Sequence, residues 1–313
     1  MIDIIMATYN GEEYIEAQIY SLLSQSFKNW NLYVYDDCSV DSTADIVKKI
    51  VGLDKRIHLI ENKKNMGCAL TFLNGIKKSN AEYVVLCDQD DLWFDNKLEV
   101  LFDNIHSLDK TCPVLLFGRG YQYDQYTKKI IGRINMNSPN TLSDYLILNG
   151  GIQGCSMIMN RSLINLITKY KCDVAMHDHF ISTLAFSFGL VRAVDADLIL
   201  YRKHNNNITS AIHGGMINKA LKYIKSRKYF IDELHYDAIN SIYESIKEDI
   251  SVSKRNEFEL YLKLPRESKI KKIKYLISNR VRVSNSIVIP VILCLLQDSF
   301  GKNVKGELHR WEP

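Results

Sequence analysis

The chain has 313 residues and a formal net charge of +4, with 46% hydrophobic and 24% charged residues. This composition is typical of a folded protein with one large domain, or one domain and a smaller appendage, and it argues against a disordered chain. Basic residues exceed acidic residues beyond Gly214, whereas acidic residues exceed basic ones over residues 1–213. We therefore expect a domain of residues 1–213 and a basic region of residues 214–313 with an anionic partner.

The cysteines and the N-terminal residues predict a cytoplasmic protein. The seven cysteines are scattered and form no C-x-x-C pair, a distribution that favours free thiols over a disulfide framework. The first residues, M-I-D-I-I-M, have a strand pattern without a basic n-region, so we expect no signal peptide. No run of 18 apolar residues occurs, and we expect no transmembrane helix.

Four predicted strands alternate with three predicted helices in the first 90 residues. The strands are residues 2–7, 30–35, 57–60 and 83–87, and the helices are residues 12–25, 43–50 and 70–77. This alternation predicts an α/β fold with a Rossmann-like, doubly wound, mostly parallel sheet. Neither G-x-G-x-x-G after the first strand nor a P-loop motif occurs, which disfavours dinucleotide-binding proteins and P-loop NTPases.

Three carboxylates follow the predicted strand at residues 83–87. They are Asp88, Asp90 and Asp91, and the carboxyl ends of strands are where open α/β sheets bind ligands. Three neighbouring anions repel each other unless a cation neutralises them, and hard divalent cations prefer oxygen ligands. The pattern predicts Mg²⁺ or Mn²⁺ held against a diphosphate. The alternative is an acidic turn before a helix, where Asp is common.

Residues 114–201 give a less regular pattern. Residues 114–117, 156–159 and 193–201 are predicted strands, and residues 118–131 form either a hairpin or a loop. The glycine-rich residues 149–155 allow a sugar or backbone to come close, or they form a bulge at a sheet edge. The segment M-H-D-H-F then opens an apolar helix.

Four segments carry a resemblance to a known family. M-A-T-Y-N-G-E-E-Y-I, Y-D-D-C-S-V-D-S-T, N-M-G and C-D-Q-D-D-L-W…N-K-L-E resemble, in order and spacing over residues 1–100, the family 2 inverting glycosyltransferases of GT-A fold. The resemblance implies a nucleobase pocket lined by Thr8, Tyr9 and Asp37, a nucleotide lying along Asn65 and Gly67, a ribose at Asp88, and a metal at Asp90 and Asp91. A departure occurs at Cys38-Ser39-Val40, where the family usually has Gly-Ser-Thr.

Structural roles remain open for some of these residues. Asp37 alternatively satisfies backbone N–H groups of its own turn, and Tyr9 alternatively lies in the core. Trp93 is interpreted as a packing residue beneath the metal loop.

The resemblance extends to two later segments. It implies that Asp178, at the start of the helix after residue 176, is the catalytic base, with a helix N-cap as the alternative role. The segment Y-R-K-H-N-N-N matches the family pattern Y-R-x-H-x-x-N through Tyr201, Arg202, His204 and Asn207. This match implies that His204 lies near the metal and diphosphate and Arg202 near the phosphates.

The C-terminal third shows helical periodicity with many basic residues. Apolar stripes occur at Ile217, Leu221 and Ile224, and at Ile270, Ile273 and Ile277. Residues 263–282 hold eight basic residues and one acid, a pattern typical of helices that bind anionic membrane surfaces. The apolar residues 287–296 are too short to span a bilayer, and they either dip into it or pack in a bundle. The alternative is an ordinary helical cap whose basic face is solvated. Nucleic acid is a disfavoured partner, because the segment lacks the aromatic residues that alternate with basic ones in proteins that bind single strands.

The resemblance is strongest to bacterial rhamnosyltransferases that use dTDP-L-rhamnose to build cell-wall or capsular polysaccharide. It implies a glycan or lipid-linked acceptor and a peripheral position on the inner face of the plasma membrane. The alternatives are a UDP-hexose donor with the same mechanism, or a non-catalytic nucleotide-sugar-binding protein. The sequence predicts neither the acceptor, the linkage nor the oligomeric state.

Overall fold

The first half of the chain forms the predicted alternation of strands and helices. The computed structural model describes residues 1–135, 139–148, 152–204, 228–283, 286–303 and 306–313. The elements up to residue 105 are β1 (Ile2–Thr8), α1 (Ile15–Leu23), β2 (Trp30–Asp36), α2 (Thr43–Val51), β3 (Ile57–Glu61), α3 (Gly67–Lys78), β4 (Tyr83–Asp88), β5 (Leu92–Trp93) and α4 (Lys97–Ile105). All four predicted strands are confirmed, and each extends by one polar residue at its carboxyl end.

The following residues complete the sheet. Their elements are β6 (Val114–Asp124), β7 (Lys129–Ile134), α5 (Leu142–Leu148), β8 (Met157–Asn160), α6 (Arg161–Ile167), β9 (Cys172–Val174), α7 (His177–Phe188) and β10 (Leu190–Lys203). Strands β6 and β7 pair in antiparallel fashion, so residues 118–131 belong to a hairpin and not to a loop. Asn149, Gly150 and Gly151 of the glycine-rich segment lie outside the described residues.

The main sheet is mostly parallel, as predicted. Within the described residues its order is β3-β2-β1-β4-β8-β6-β10-β5, with β7 added beside β6. Strand β8 is antiparallel to both β4 and β6, so β6 and its parallel partner β10 run in the same direction as β1 to β4. Thr8 is in register with Asp36, and Ala7 with Asp88, which brings the polar strand ends to one edge.

Apolar side chains cover both faces of the sheet. Helices α1, α2 and α4 pack on one face, through residues such as Ile19, Val47 and Leu98. Helices α3, α6 and α7 pack on the other face, through residues such as Phe72 and Leu184. Each fully buried Ile, Leu or Phe contributes ~1.5–3 kcal/mol to folding, so these two layers fix the sheet that positions the site.

The C-terminal part contains strands as well as the predicted helices. Its elements are β11 (Tyr229–Asp232), α8 (Glu233–Ile246), α9 (Val252–Lys263), α10 (Lys269–Ser278), α11 (Val288–Leu296), β12 (Asp298–Gly301) and β13 (His309–Trp311). Strand β11 pairs with β12, and β13 pairs with β9. The predicted stripe of Ile217, Leu221 and Ile224 and the predicted boundary after residue 213 lie outside the described residues. The division into two domains therefore stays a prediction.

Residues 263–282 do not form one basic helix. They include the end of α9, a 3-10 turn at Leu264–Arg266, and α10. Helix α10 packs inward through Lys272, Tyr275 and Leu276, whereas Ile270 and Ile277 of the predicted stripe are exposed. Ile273 is half-buried and packs against the core, so the stripe lies at the border between the buried side of α10 and solvent.

The predicted free thiols are confirmed, because all seven cysteines, each of which is described, lack a disulfide partner. Over the described ranges, no helix has the length and apolarity needed to cross a membrane.

Candidate active site

Asp37 joins the end of β2 to the turn that begins α3. Its buried carboxylate accepts hydrogen bonds from the backbone N–H groups of Met66 and Gly67, at 2.9 and 2.8 Å. The Asn65 side chain returns a bond from its amide Nδ2 to the Asp37 carbonyl oxygen at 3.0 Å. Asp37 thus binds backbone N–H groups of a distant turn, and the alternative that it serves its own turn is wrong.

The turn after β2 is closed instead by the preceding carboxylate. Oδ2 of Asp36 accepts a hydrogen bond from the backbone N–H of Ser39 at 3.0 Å. Cys38, between them, has φ +68°, which is the left-handed region that favours glycine. This backbone explains why the resembled family usually has glycine there.

The end of β1 is held by Gln89, a residue to which the sequence analysis gave no role. Oε1 of Gln89 accepts hydrogen bonds from the Thr8 hydroxyl at 2.5 Å and from the Tyr9 N–H at 3.1 Å. Its Nε2 donates to the Tyr9 carbonyl oxygen at 3.1 Å. The Tyr9 side chain is 47% exposed, so the alternative of a core residue is wrong. Tyr9 therefore lies at the surface, directly after β1.

The position of the Gln89 side chain also explains the glycine at residue 11. A Cβ atom at this position would lie 2.1 Å from Oε1 of Gln89. Any side chain would displace the amide that holds Thr8 and Tyr9.

Asp88, Asp90 and Asp91 form a partly buried acidic cluster after β4. Burial, followed by the charges of Asp90 and Asp178, raises the pKa of Asp88 to about 7. Burial and the two neighbouring aspartates raise the pKa of Asp91 well above its ordinary value. The cluster therefore resists holding its full negative charge without a cation.

The donor atoms fit a hard divalent cation. Oδ1 of Asp91 accepts the Arg202 N–H at 3.1 Å, but its buried Oδ2 has no hydrogen-bond partner among the described residues. Potential ligand atoms of Asp88, Asp91 and Cys155 lie within 4.8 Å of one another. Burial and the nearby carboxylates raise the pKa of the Cys155 thiol well above its ordinary value, so it stays neutral and the carboxylate oxygens are the suitable ligands.

Lys97 is a buried cation beneath this cluster. Its Nζ donates to the Cys155 carbonyl oxygen at 2.6 Å and lies 3.4 Å from the centre of the Trp93 ring. Burial lowers the pKa of Lys97 to about 8, while the nearby thiols and carboxylates of Asp91 and Asp88 oppose that shift. Trp93 is buried, in agreement with its predicted packing role. Lys97 belongs to the N-K-L-E segment of the resemblance, but no role was predicted for it.

Residues at the end of β10 contact the acidic cluster from the other side. His204 Nε2 lies 2.9 Å from Oδ2 of Asp90, and Arg202 Nε donates to the Asp90 carbonyl oxygen at 2.8 Å. Both side chains contact Tyr14: the His204 ring stacks on it at 4.5 Å, and the guanidinium lies 5.4 Å from its centre. Tyr14 is the N-cap residue of α1 and was not among the predicted site residues. Asn207 lies outside the described residues.

Asp178 lies in the first turn of α7. The N-cap of this helix is Met176, so the alternative that Asp178 is the N-cap is wrong. Oδ1 of Asp178 accepts the His179 N–H at 2.8 Å. A Cβ atom at Gly154 would lie 2.6 Å from His177 Nε2 and 3.6 Å from Cβ of Asp178. Gly154 thus gives the backbone a close approach to the start of α7, as one interpretation of the glycine-rich segment predicted.

The profile of the family described as "Glycosyl transferase family 2" matches residues 3–167, more than half of the chain. The chain belongs to glycosyl transferase family 2. It is a glycosyltransferase, as the first 100 residues predicted, and the family match covers the elements that carry Thr8, Asp37 and the acidic cluster. Asp178, Arg202 and His204 lie beyond the matched residues.

Three bacterial relatives are glycosyltransferases. The chain is 29% identical over 161 residues to TuaG of Bacillus subtilis, a "putative teichuronic acid biosynthesis glycosyltransferase", covering 51% of this chain and 61% of TuaG, which is less than two thirds of its length. It is 31% identical over 217 residues to WfgD of Escherichia coli, a "UDP-Glc:alpha-D-GlcNAc-diphosphoundecaprenol beta-1,3-glucosyltransferase". This match covers 69% of this chain and 75% of WfgD. It is 25% identical over 222 residues to RfbG of Shigella flexneri, a "dTDP-rhamnosyl transferase". This match covers 66% of this chain and 74% of RfbG.

A solved structure shares the fold. The S. aureus TarS fragment 1–349, solved in complex with UDP-GlcNAc, superposes with a TM-score of 0.57 over 88% of this chain and 79% of the fragment, at 16% identity. At this identity the likeness shows the fold alone. The predicted GT-A-like α/β fold is confirmed.

The family 2 chain brings its predicted site residues to one edge of the sheet. Burial, and then the charges of Asp88, Asp178, Asp90 and Asp37, raise the pKa of the Cys68 thiol. Four carboxylates from three segments of the chain thus act on one side chain in the first turn of α3. Residues implied in donor binding, metal binding and proton transfer share this space.

Proposed function

We propose that the chain transfers a sugar, with inversion, from a nucleoside diphosphate donor to a glycan or lipid-linked acceptor in bacterial surface polysaccharide synthesis. The observation that carries this proposal is the acidic cluster of Asp88, Asp90 and Asp91 at the carboxyl end of β4, with Asp178 near enough for its charge to raise the pKa of Asp88. A binding module needs no acidic residue opposite its diphosphate site, which argues against the non-catalytic alternative.

Asp90 and Asp91, with Asp88 beside them, would hold Mg²⁺ or Mn²⁺ through carboxylate oxygens. Such an ion supplies charge neutralisation at the departing diphosphate. His204 fixes the Asp90 carboxylate at 2.9 Å, and Arg202 holds the backbone of the same residue. The chain itself thus orients the ligand oxygens before any ion binds.

Asp178 is the proposed general base. Its carboxylate accepts the proton of the acceptor hydroxyl as the hydroxyl oxygen attacks the anomeric carbon and the bond to the diphosphate breaks. Attack opposite the leaving group inverts the anomeric configuration, which requires both sugars to be held in line. Gly154 keeps a side chain away from His177, the residue that precedes Asp178 at the start of α7.

For the donor we propose dTDP-L-rhamnose, supported by the likeness of the motifs to rhamnosyltransferases and by the similarity to RfbG. The second candidate is a UDP-hexose, favoured by the higher identity to WfgD, a UDP-glucose enzyme. Calorimetric titration with dTDP and UDP, each with Mn²⁺ and with EDTA, separates the two donors. Preferred binding of dTDP supports rhamnose, preferred binding of UDP replaces it, and binding of neither by folded protein contradicts the whole proposal.

The partner proposed for the C-terminal helices is an anionic membrane. Helices α10 and α11 pack on each other, and α11 buries only one side, through Pro290, Leu293 and Cys294. Large apolar side chains on both helices remain exposed: Ile270, Ile277, Val288, Ile292, Leu295 and Leu296. Lys269, Lys271 and Lys274 are exposed on α10. Exposed apolar and basic side chains together suit insertion at an anionic lipid surface on the inner face of the plasma membrane.

Sedimentation with lipid vesicles tests this partner. Wild-type protein should bind vesicles with anionic lipid more strongly than neutral vesicles, and the double variant Ile292→Glu/Leu296→Glu should lose the binding. Leu53→Glu is the matched control and should bind like wild type. Leu53 lies on another part of the chain and is 79% exposed. Equal binding by the double variant and the control would remove the membrane from the proposal.

A further inference from the structure

Strand β13 returns the C-terminal residues to the catalytic half of the chain. It pairs with β9 in antiparallel register, with His309 opposite Val174 and Trp311 opposite Cys172. Trp311 is buried, and its Nε1 donates to the Ile167 carbonyl oxygen at 3.0 Å. This anchoring fixes the position of the strand.

The same strand lies against the start of α3. The heavy atom nearest to a Cβ built on Gly67 is Cε1 of the His309 ring, at 3.8 Å. Gly67 has φ +79°, and its N–H donates to Asp37 at 2.8 Å, so this turn is fixed by its own contacts. A side chain at Gly67 would therefore touch the His309 imidazole, and the imidazole faces the space that the missing side chain leaves at this turn.

The side-chain alternation of β13 directs His309 inward. His309 and Trp311 share one face of the strand because they are two residues apart, and Arg310 lies on the other face. Arg310 instead contacts the carboxylates of Asp173 and Glu312 at 3.3 and 3.4 Å. One strand thus offers an inward residue and an outward neighbour for comparison.

We propose that His309 is a donor-binding residue, whose imidazole N–H donates to the nucleoside diphosphate where it passes the Gly67 turn. This inference rests on the proposed function, since it needs a nucleotide along Asn65 and Gly67. Imidazole is suited to the role, because it donates a hydrogen bond to a phosphate or ribose oxygen in either tautomer. His309 lies far outside the region matched by the family profile, so this contact belongs to the C-terminal segment of this chain.

Calorimetry of the full chain with dTDP and with UDP, in the presence of Mn²⁺, tests the inference. His309→Ala should weaken binding of the preferred nucleotide about tenfold, the usual size of a hydrogen bond to a charged group. His309→Gln, which keeps an N–H donor, should recover part of the loss. Arg310→Ala should bind like wild type. In turnover, His309→Ala should raise the KM for the donor while kcat stays within about twofold.

Each other outcome has a defined meaning. Unchanged binding by folded His309→Ala overturns the inference and leaves the proposed function standing, whereas no binding by folded wild type overturns both. Equal loss in Arg310→Ala shows that the strand, and not the imidazole, is responsible, and this also overturns the inference. If His309→Ala fails to fold, the NMR signal of the His309 ring in wild type is followed instead. That signal, assigned with His309→Gln, should shift on addition of nucleotide, and a constant signal contradicts the contact.

Discussion

The imidazole Nε2 of His204 lies 2.9 Å from Oδ2 of Asp90, which joins the end of β10 to the loop after β4. These two strands are not neighbours, because β8 and β6 lie between them in the sheet. The contact therefore closes the site across the strand ends. It also fixes one carboxylate oxygen of Asp90, so that the remaining oxygen can serve as a ligand.

Asp90→Ala should abolish metal-dependent nucleotide binding, because it removes the carboxylate that His204 orients in the acidic cluster. Calorimetry with dTDP and UDP, with Mn²⁺ and with EDTA, measures the effect. Asp95→Ala, in the turn between β5 and α4, is the control. Normal Mn²⁺-dependent binding by Asp90→Ala would exclude Asp90 from the metal site.

Asp178→Asn should keep donor binding and lower turnover by ~10²–10⁴, the usual contribution of a general base. The amide keeps the size of the side chain but accepts a proton poorly. Single-turnover transfer and calorimetry of the same preparation separate the two effects. Asp173→Asn, at an aspartate five residues earlier in β9, should retain turnover, and an unchanged rate in Asp178→Asn would remove this residue from the mechanism.

Lys97→Met should destabilise the fold and weaken metal-dependent nucleotide binding. The variant leaves the buried Cys155 carbonyl oxygen without its donor, which costs ~1–3 kcal/mol in the free energy of unfolding. It also removes the cation beneath the carboxylates of Asp88 and Asp91. Urea denaturation and calorimetry measure the two changes, and Lys49→Met, at an exposed lysine of α2, is the control. A stability equal to that of the control would contradict the assigned role.

Asp232→Ala should lower the free energy of unfolding by about 2–3 kcal/mol at pH 7. Burial alone raises the pKa of Asp232, but hydrogen bonds from His235 and Asn303 outweigh it and lower the pKa from 3.8 to about 2. A shift of this size corresponds to about 2.5 kcal/mol. The contribution is present above pH 4 and is lost as the pH falls through 2, because the folded state then has to take up the proton.

Urea denaturation of wild type and Asp232→Ala at pH 7 and pH 3 checks this dependence. The difference between them should be smaller at pH 3. Glu244→Ala is the control, because Glu244 is an exposed residue of α8, the helix that Asp232 caps, and pairs with Lys247; it should change stability by less than ~1 kcal/mol. A pH-independent difference would contradict the assignment to the carboxylate.

The sequence predicted those parts of the site that depend on local pattern. Apolar runs ending in polar residues located β1, β2, β3 and β4 to within one residue, and parallel pairing then brings Thr8, Asp36 and Asp88 to one edge. Gln89, Tyr14 and Lys97 were missed because their contacts join segments that are distant in sequence. A glutamine, tyrosine or lysine carries no local sign of such a partner.

The C-terminal part was predicted less completely, for a related reason. The stripe of Ile270, Ile273 and Ile277 is a real feature of α10, but tertiary packing buries Lys272, Tyr275 and Leu276 instead. A helical period shows which residues share a face, and not which face packs inward. The three-residue strand β13 is too short to give a pattern at all.

The pairing of β9 with β13 also constrains the order of events in folding. Asp173 and Arg310 contact each other although 137 residues separate them in sequence. A nascent chain synthesised only as far as β12 would expose the backbone edge of β9 and the pocket that Trp311 fills. We expect released chains truncated before residue 309 to be cleaved by protease near residues 170–175, and the full chain to be protected there.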